Sequence, residues 1–229
     1  MTERNALWLS RARLRRDAGL AALAPLLLPP EQDRRVDAAH RLVWSLFADS
    51  PERQRDFLWR EEEPGHFLLL SARRPAEDGP LFEVESKPFA PVLGIGNRLA
   101  FLLRANATTA RYQQGQRGKP VDVVMHALYA VPSGQRAEQR ARSVRDAGMA
   151  WLGRQGACCG FAPDLATLAV DGHDVRIVPR AKGDPIRFAV LDIAGVLEVR
   201  EPAAFLAALA KGFGRAKAFG CGLMLIRRI

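Results

Sequence analysis

The chain has 229 residues, 48% of them hydrophobic, which suffices for one large domain or two small ones with a sizeable core. Lys and Arg number 34 against 25 Asp and Glu, a net charge of +9, and such a surplus attracts polyanions, nucleic acid foremost. Three cysteines, Cys158, Cys159 and Cys221, give neither a disulfide framework nor CxxC spacing, and Leu20 to Leu28, ended by Pro29-Pro30, is too short to cross a bilayer. A reduced, soluble, cytoplasmic chain is therefore expected, with no membrane partner and, given the mixed basic stretch Arg4 to Arg16, no signal peptide.

Leu7-Trp8-Leu9-Ser10-Arg11-Ala12 alternates apolar and polar residues and reads as a first strand. Residues 14–30 read as a loop with one helical turn. Val36, Ala39, Val43, Leu46 and Phe47 recur at helical spacing, which predicts a helix from Gln32 to Phe47, stopped by Asp49-Ser50-Pro51. Phe57 to Arg60 and Phe67 to Ser71 bracket the turn Pro64-Gly65 as a hairpin, and Leu81 to Ser86 supplies another strand. Pro75 to Pro80 is a turn-rich connector where a second helix would otherwise stand, and Pro88 to Gly96 reads as a hinge.

Leu99 to Ala105 opens the second half as a strand. Gln113 to Pro120 reads as a polar, basic loop, and Arg136 to Arg154 as a helix whose apolar side includes Val144, Trp151 and Leu152. Leu165 to Val170 and Asp174 to Val178 flank a predicted turn, Asp171-Gly172-His173. Ile186 to Val199 is a long strand, Pro202 to Lys211 a helix, and Leu223 to Ile229 the last strand. The second half thus reads β-α-β-β-α-β, and the first half the same with its second helix worn down. The expected class is α+β, two tandem ferredoxin-like (RRM-like) domains: residues 1–92 with a histidine-bearing helix, and residues 97–229 with a basic helix and a glycine-rich loop.

That loop is the most distinctive stretch. Gly212, Gly214, Gly220 and Gly222 remove the Cβ atoms that would hold the backbone away from a ligand, and Arg215 and Lys217 add cations. A P-loop leaves a strand and opens a helix, whereas this segment leaves a helix and opens a strand, and Lys217 is followed by Ala. A polyanion lying across the loop is one reading; a glycine-rich cap and bulge is the other.

Of the four histidines, His66 and His173 read as solvated residues at turns. His126, in Val123 to Leu128, reads as part of a strand or loop. His40 falls on the apolar face of its helix one turn before Trp44, with Asp37 three residues back and within reach. It is either a satisfied core histidine or one at the edge of a cleft, tuned for proton transfer. RNA cleavage by its own 2′-hydroxyl needs a proton acceptor, a proton donor and groups facing the phosphorane oxygens, and no metal. No two-metal carboxylate–histidine cluster stands out, so neither a metal nor another cofactor is expected. Arg136, Arg140, Arg142 and Arg145 lie on one helix and form a face able to follow an RNA stem, or a solvated surface paired with Glu138 and Asp146.

Five stretches together resemble the CasE family, the CRISPR-associated repeat-processing endoribonucleases of type I-E systems. They are Leu7-Trp-Leu-Ser-Arg11, His40-Arg-Leu-Val-Trp-Ser-Leu-Phe47, Arg55-Asp-Phe-Leu-Trp59, Leu102-Leu-Arg-Ala-Asn106 and Gly212-Phe-Gly-Arg-Ala-Lys-Ala-Phe-Gly-Cys-Gly-Leu223. The resemblance implies tandem ferredoxin-like domains, binding of a CRISPR repeat stem-loop, and metal-independent cleavage at its 3′ base. The ends would be a 5′-hydroxyl and a 2′,3′-cyclic phosphate, and the enzyme would join the other subunits of a type I-E Cascade complex. It also implies that His40 is catalytic, with Asp37 where the family carries a tyrosine. Arg104 in the fourth stretch and Lys119 in the polar loop join the loop residues and the helix arginines as expected RNA contacts. After Asn106 this chain has Ala107-Thr108-Thr109 where the family continues Pro-Thr-Lys, which removes a lysine. Two other readings remain: a non-cutting guide-RNA subunit of the same fold, and a ferredoxin-like structural or DNA-binding module.

Overall fold

The computed structural model describes residues 7–50, 52–113, 116–180 and 183–229, so Arg4 and the helix-stopping Pro51 lie outside the described residues. The first half comprises β1 (Leu7–Leu14), α1 (Ala18–Leu27), α2 (Gln32–Ser45), β2 (Phe57–Glu63), β3 (His66–Ser71) and β4 (Phe82–Phe89). The second comprises β5 (Arg98–Ala105), β6 (Thr108–Gln113), β7 (Gln116–Asp122), α3 (Val123–Tyr129), α4 (Arg136–Cys159), β8 (Phe161–Pro163), β9 (Ala169–Val178), β10 (Ile186–Val199), α5 (Pro202–Lys211) and β11 (Met224–Arg228).

The first sheet has the order β2-β3-β1-β4 with antiparallel neighbours throughout. Pro88 falls on β4, an edge strand, where a missing N–H breaks no ladder. Ala39, Leu42 and Val43, spaced to share one face of α2, are buried against Phe57, Trp59, Phe67 and Phe82. The second sheet has the order β11-β5-β10-β8, and β9 also pairs with β10. With 14 residues, β10 is long enough to pair β9 along Ile186 to Ala194 and β8 along Leu197 to Val199. Taking β8 and β9 together, each sheet places its strands in the order fourth, first, third, second, the ferredoxin-like arrangement. α4 packs on the second sheet through Val144, Trp151 and Leu152.

Four local readings are corrected. Residues 14–30 contain a ten-residue helix, α1, whose N-cap Asp17 accepts a hydrogen bond from the Leu20 amide and which carries Pro25 in its last turns. Gln113 to Pro120 is no loop throughout: β6 and β7 pair as a ribbon. Val123 to Leu128 is helical, because Asp122 caps the Met125 amide at 2.8 Å and outweighs the strand preference of Val123-Val124. Asp171-Gly172-His173 does not turn the chain. It lies within the single strand β9, where pairing with β10 shifts at a bulge between Val190 and Asp192 and Gly172 takes a φ of 76°.

Gly156 tests how tightly α4 is seated. An alanine would suit the helix interior by up to ~1 kcal/mol, yet a Cβ there would stand 2.4 Å from the Phe161 carbonyl oxygen. Overlap with backbone outweighs propensity, so Gly156→Ala is expected to lower the thermal unfolding midpoint; an unchanged or higher midpoint in calorimetry would contradict this packing.

Candidate active site between the two sheets

Helix α2 serves both halves. Beyond its face on the first sheet, Val36 packs with Phe188, Val190, Cys221 and Phe219 of the second half, and the Asp33 carboxylate accepts a hydrogen bond from the Ile177 amide of β9 at 3.1 Å. One turn after Val36, His40 is half-buried between Trp44, at 6.3 Å ring to ring and perpendicular, and Phe219, at 5.8 Å. Its Nδ1 is buried and has no hydrogen-bond partner among the described residues. Burial pushes the His40 pKa below the ordinary imidazole value; the Ala218 backbone and Asp37 raise it, while Arg55 and Arg41 lower it further. His40 is thus a mainly neutral imidazole near pH 7 at the contact between the halves, and not a core histidine with all its polar atoms satisfied.

The glycine-rich segment forms the opposite wall. It runs from the end of α5 to β11, with φ of 75° at Gly212, 71° at Gly214, 78° at Gly220 and 93° at Gly222. The atoms nearest the missing Cβ positions belong to the protein itself. A Cβ on Gly212 would meet Leu58 at 2.7 Å, one on Gly214 the Asn106 carbonyl at 2.7 Å, and one on Gly220 the Trp59 ring at 3.2 Å. Several amides are also used internally: Phe213 bonds to Gly222, Arg215 to Asn106, and Gly222 to Arg104. The cap-and-bulge reading accounts for these glycines; their absent side chains let the loop lie against β2 and β5. The Trp59 indole N–H closes the contact by donating to the Ala218 carbonyl at 3.2 Å.

This packing places Lys217 two residues before the Phe219 ring that His40 meets, and Arg55 within electrostatic reach of both His40 and Lys217. Lys217 donates to the Lys211 carbonyl at 2.8 Å, and its pKa is lowered by burial, then by Arg55 and Lys211. Arg55, in the segment leading into β2, carries a buried Nη1 with no partner, and burial lowers its pKa too. Its stretch was recognisable in the sequence, but nothing local showed that Arg55 ends beside His40 and Lys217. Asp37 behaves differently: its carboxylate is taken by Arg41 one turn on. Both line a cavity of about 720 Å³ on another flank of α2 with Arg34, Leu42 and Pro179, a cavity that does not include His40.

The remaining expected contacts are dispersed. Arg215 is exposed on the loop, and Lys119 is exposed on β7. Arg104 is bidentate to Asp192 at 3.0 Å and lines a small cleft of about 110 Å³ with Arg35, Glu61, Arg176 and Phe219. Arg142 and Arg145 are exposed on α4, Arg142 lying 3.5 Å from Asp146. Arg136 donates to the Val131 carbonyl and stacks over Tyr129. Arg140 reaches Nδ1 of His173 at 2.8 Å, and His173 Nε2 meets Asp122 at 2.8 Å. His173 is therefore buried and tethered, not solvated: β9 and the cap of α3 hold Arg140 in place. Because a guanidinium only donates, His173 accepts at Nδ1 and donates from Nε2. Among the described residues no three His, Cys, Asp or Glu side chains come together as a metal-holding group, and no helix is long and apolar enough to cross a membrane.

The model of the CRISPR associated protein family matches residues 7–228. The chain belongs to this family. Within the CRISPR associated proteins it is 27% identical over 210 residues to the CRISPR system Cascade subunit CasE of Escherichia coli (strain K12), covering 88% of this chain and 96% of that one. The structure of Thermus thermophilus Cse3 bound to an RNA representing a pre-cleavage complex is 25% identical with a TM-score of 0.68. That of CRISPR endoribonuclease Cse3 bound to 19 nt RNA is 26% identical with a TM-score of 0.65; each match covers 97% of this chain and 99% of the other.

The balance at His40 gives a direct measurement. Burial lowers its pKa from 6.5 and Asp37 opposes that, so the imidazole is expected to titrate below 6.5 and lower still in Asp37→Asn, which removes a charge favouring imidazolium. A proton NMR titration of the His40 ring checks both shifts; coincident curves would detach Asp37 from His40.

Proposed function

We propose that this CRISPR associated protein is a metal-independent endoribonuclease that binds the stem-loop of CRISPR repeat RNA, cuts at its base and stays on its product as a subunit of a Cascade complex. The observation that carries the reading is His40: a histidine with a lowered pKa and a buried, unpartnered Nδ1, facing a loop that brings Lys217. The kinship with CasE and Cse3 supports the substrate class. In this reading a neutral His40 takes the proton of the 2′-hydroxyl beside the scissile bond. The 2′-oxygen attacks phosphorus and the 5′-oxygen leaves, giving a 5′-hydroxyl and a 2′,3′-cyclic phosphate. Lys217 faces the phosphate, while the exposed Arg142, Arg145, Arg215 and Lys119, with the tethered Arg136 and Arg140, contact the stem. The division at residues 92 and 97 leaves each sheet whole, and a cytoplasmic location goes with this role.

One observation favours a second reading, a guide-RNA subunit that does not cut: Asp37 stands where the family carries tyrosine, and Arg41 occupies its carboxylate. Incubation with a repeat hairpin separates the two. Cleavage is expected to proceed in EDTA, and His40→Ala is expected to slow it about 10²–10⁴-fold with hairpin affinity little changed. Activity only with added divalent ions, or an unaffected His40→Ala rate, would overturn the proposed mechanism.

A further inference from the structure

Arg55 is a half-buried guanidinium without a counter-charge. Its Nη1 is sealed from solvent without a partner, and the side chain makes no hydrogen bond or ion pair among the described residues. Nearby carboxylates are occupied elsewhere. Asp56 is held bidentately by Arg73 at 2.6 and 3.0 Å, Asp49 is shared by Arg53 and Arg73 at 2.7 Å each, and Asp37 is held by Arg41. A structural arginine in such a position normally acquires a carboxylate or several carbonyls, because a buried donor left unmade is costly. Here the charged neighbour is instead a second cation: Lys217 and Arg55 lie close enough that Arg55 disfavours the charged form of Lys217, and of His40 as well.

The same interlock positions all of them. Arg55 precedes β2 by two residues, Trp59 on β2 donates to the Ala218 carbonyl, and Ala218 follows Lys217 directly. An unpaired guanidinium, a lysine bonded only to the Lys211 carbonyl and an imidazole with a free Nδ1, held together at one seam, make a place for an anion with several acceptor oxygens.

We propose that Arg55 binds the scissile phosphate, donating to its nonbridging oxygens beside His40 and Lys217. This rests on the endoribonuclease reading and deepens it. As the O2′–P bond forms and the P–O5′ bond breaks, the hydroxyl proton passes to His40 and the departing 5′-oxygen takes a proton from water. Negative charge builds on the two nonbridging oxygens between these events. A guanidinium meets two such oxygens with a rigid fork of donors, which a lysine cannot do.

The test uses the full-length protein, a repeat hairpin, and the same hairpin with a 2′-deoxy sugar at the cleavage site for affinity. Arg55→Gln is expected to slow single-turnover cleavage about 10²–10³-fold, the scale for losing one transition-state donor, with a smaller loss of affinity. Arg55→Lys is expected to recover part of the rate. The His40 titration should move upward in Arg55→Gln at an unchanged thermal unfolding midpoint, which separates loss of the charge from a packing defect that raises the same pKa by exposing the imidazole. A neutral methylphosphonate at the cleavage linkage is expected to weaken binding by wild type more than by Arg55→Gln, in which only Lys217 still faces the phosphate. Cleavage by Arg55→Gln within threefold of wild type, or a rate loss with lowered thermal stability and an unmoved His40 titration, overturns the proposal. Failure of the wild type to cut overturns the endoribonuclease reading instead; the phosphate contact is then decided by the methylphosphonate alone, equal weakening of both proteins refuting it.

Discussion

Trp59 stands on β2 of the first sheet, and its indole N–H is bonded to the Ala218 carbonyl in the loop that leads into the last strand of the second. The ring is 2% exposed, lies edge-on to Phe67 below it, and has Gly220 against its face. That single side chain therefore belongs to the core of one half and sets the position of a loop in the other. His40 meets Phe219, the residue after Ala218, and Lys217 precedes it. Were the two sheets free to shift by an ångström, the proposed joint action of imidazole and ammonium would be lost, since rates of positioned chemistry fall steeply with such displacements. Leu58 and Leu70 pack with Leu223 in a separate cluster that joins the same two halves.

Because the surroundings of His40 are assembled at a seam, their electrostatics are settled by competition among elements remote in sequence. Desolvation is the largest influence on His40 and lowers its pKa. The opposing contributions come from the Ala218 backbone and Asp37, the reinforcing ones from Arg55 and Arg41. Concentrating cations beside an imidazole keeps it neutral, the state a proton acceptor requires, and presents positive charge to a polyanion. The same sign of field thus serves binding and base strength in opposite ways, since each added cation that attracts phosphate also makes the base weaker.

Most of the architecture was legible in local pattern. The helical spacing of Ala39, Val43 and Leu46, the hairpin around Pro64-Gly65 and the long run ending at Val199 all form where periodicity places them. The errors fall where a tertiary contact or a single cap decides. Asp122 turns a β-branched run into α3, and pairing with β10 carries β9 straight through a sequence that looks like a turn. The glycine loop was conspicuous because four glycines are conspicuous, but glycine reports close approach without naming what approaches; here Leu58, Asn106 and Trp59 do. His173 and Arg55 share one reason for being misjudged or passed over. Their environments are built by residues 33 to 162 positions away, Arg140 and Asp122 for the one and Lys217 for the other, and no window of sequence contains them.

Asp37 shows how a departure from the family pattern is absorbed. A bare carboxylate one turn from His40 would repel a phosphate and raise the imidazole pKa, both unfavourable to a neutral base beside a polyanion. Arg41, four residues on, takes that carboxylate in the orientation favourable for an acid–base pair on a helix. The two charges then act on His40 with opposite signs, Asp37 raising its pKa and Arg41 lowering it. What reaches His40 is the field of an ion pair, which falls off faster than that of a single charge. Substitution at position 37 therefore has a smaller electrostatic effect while Arg41 is present than when it is absent, and the tolerance of this fold for aspartate at that position resides in the arginine one turn away.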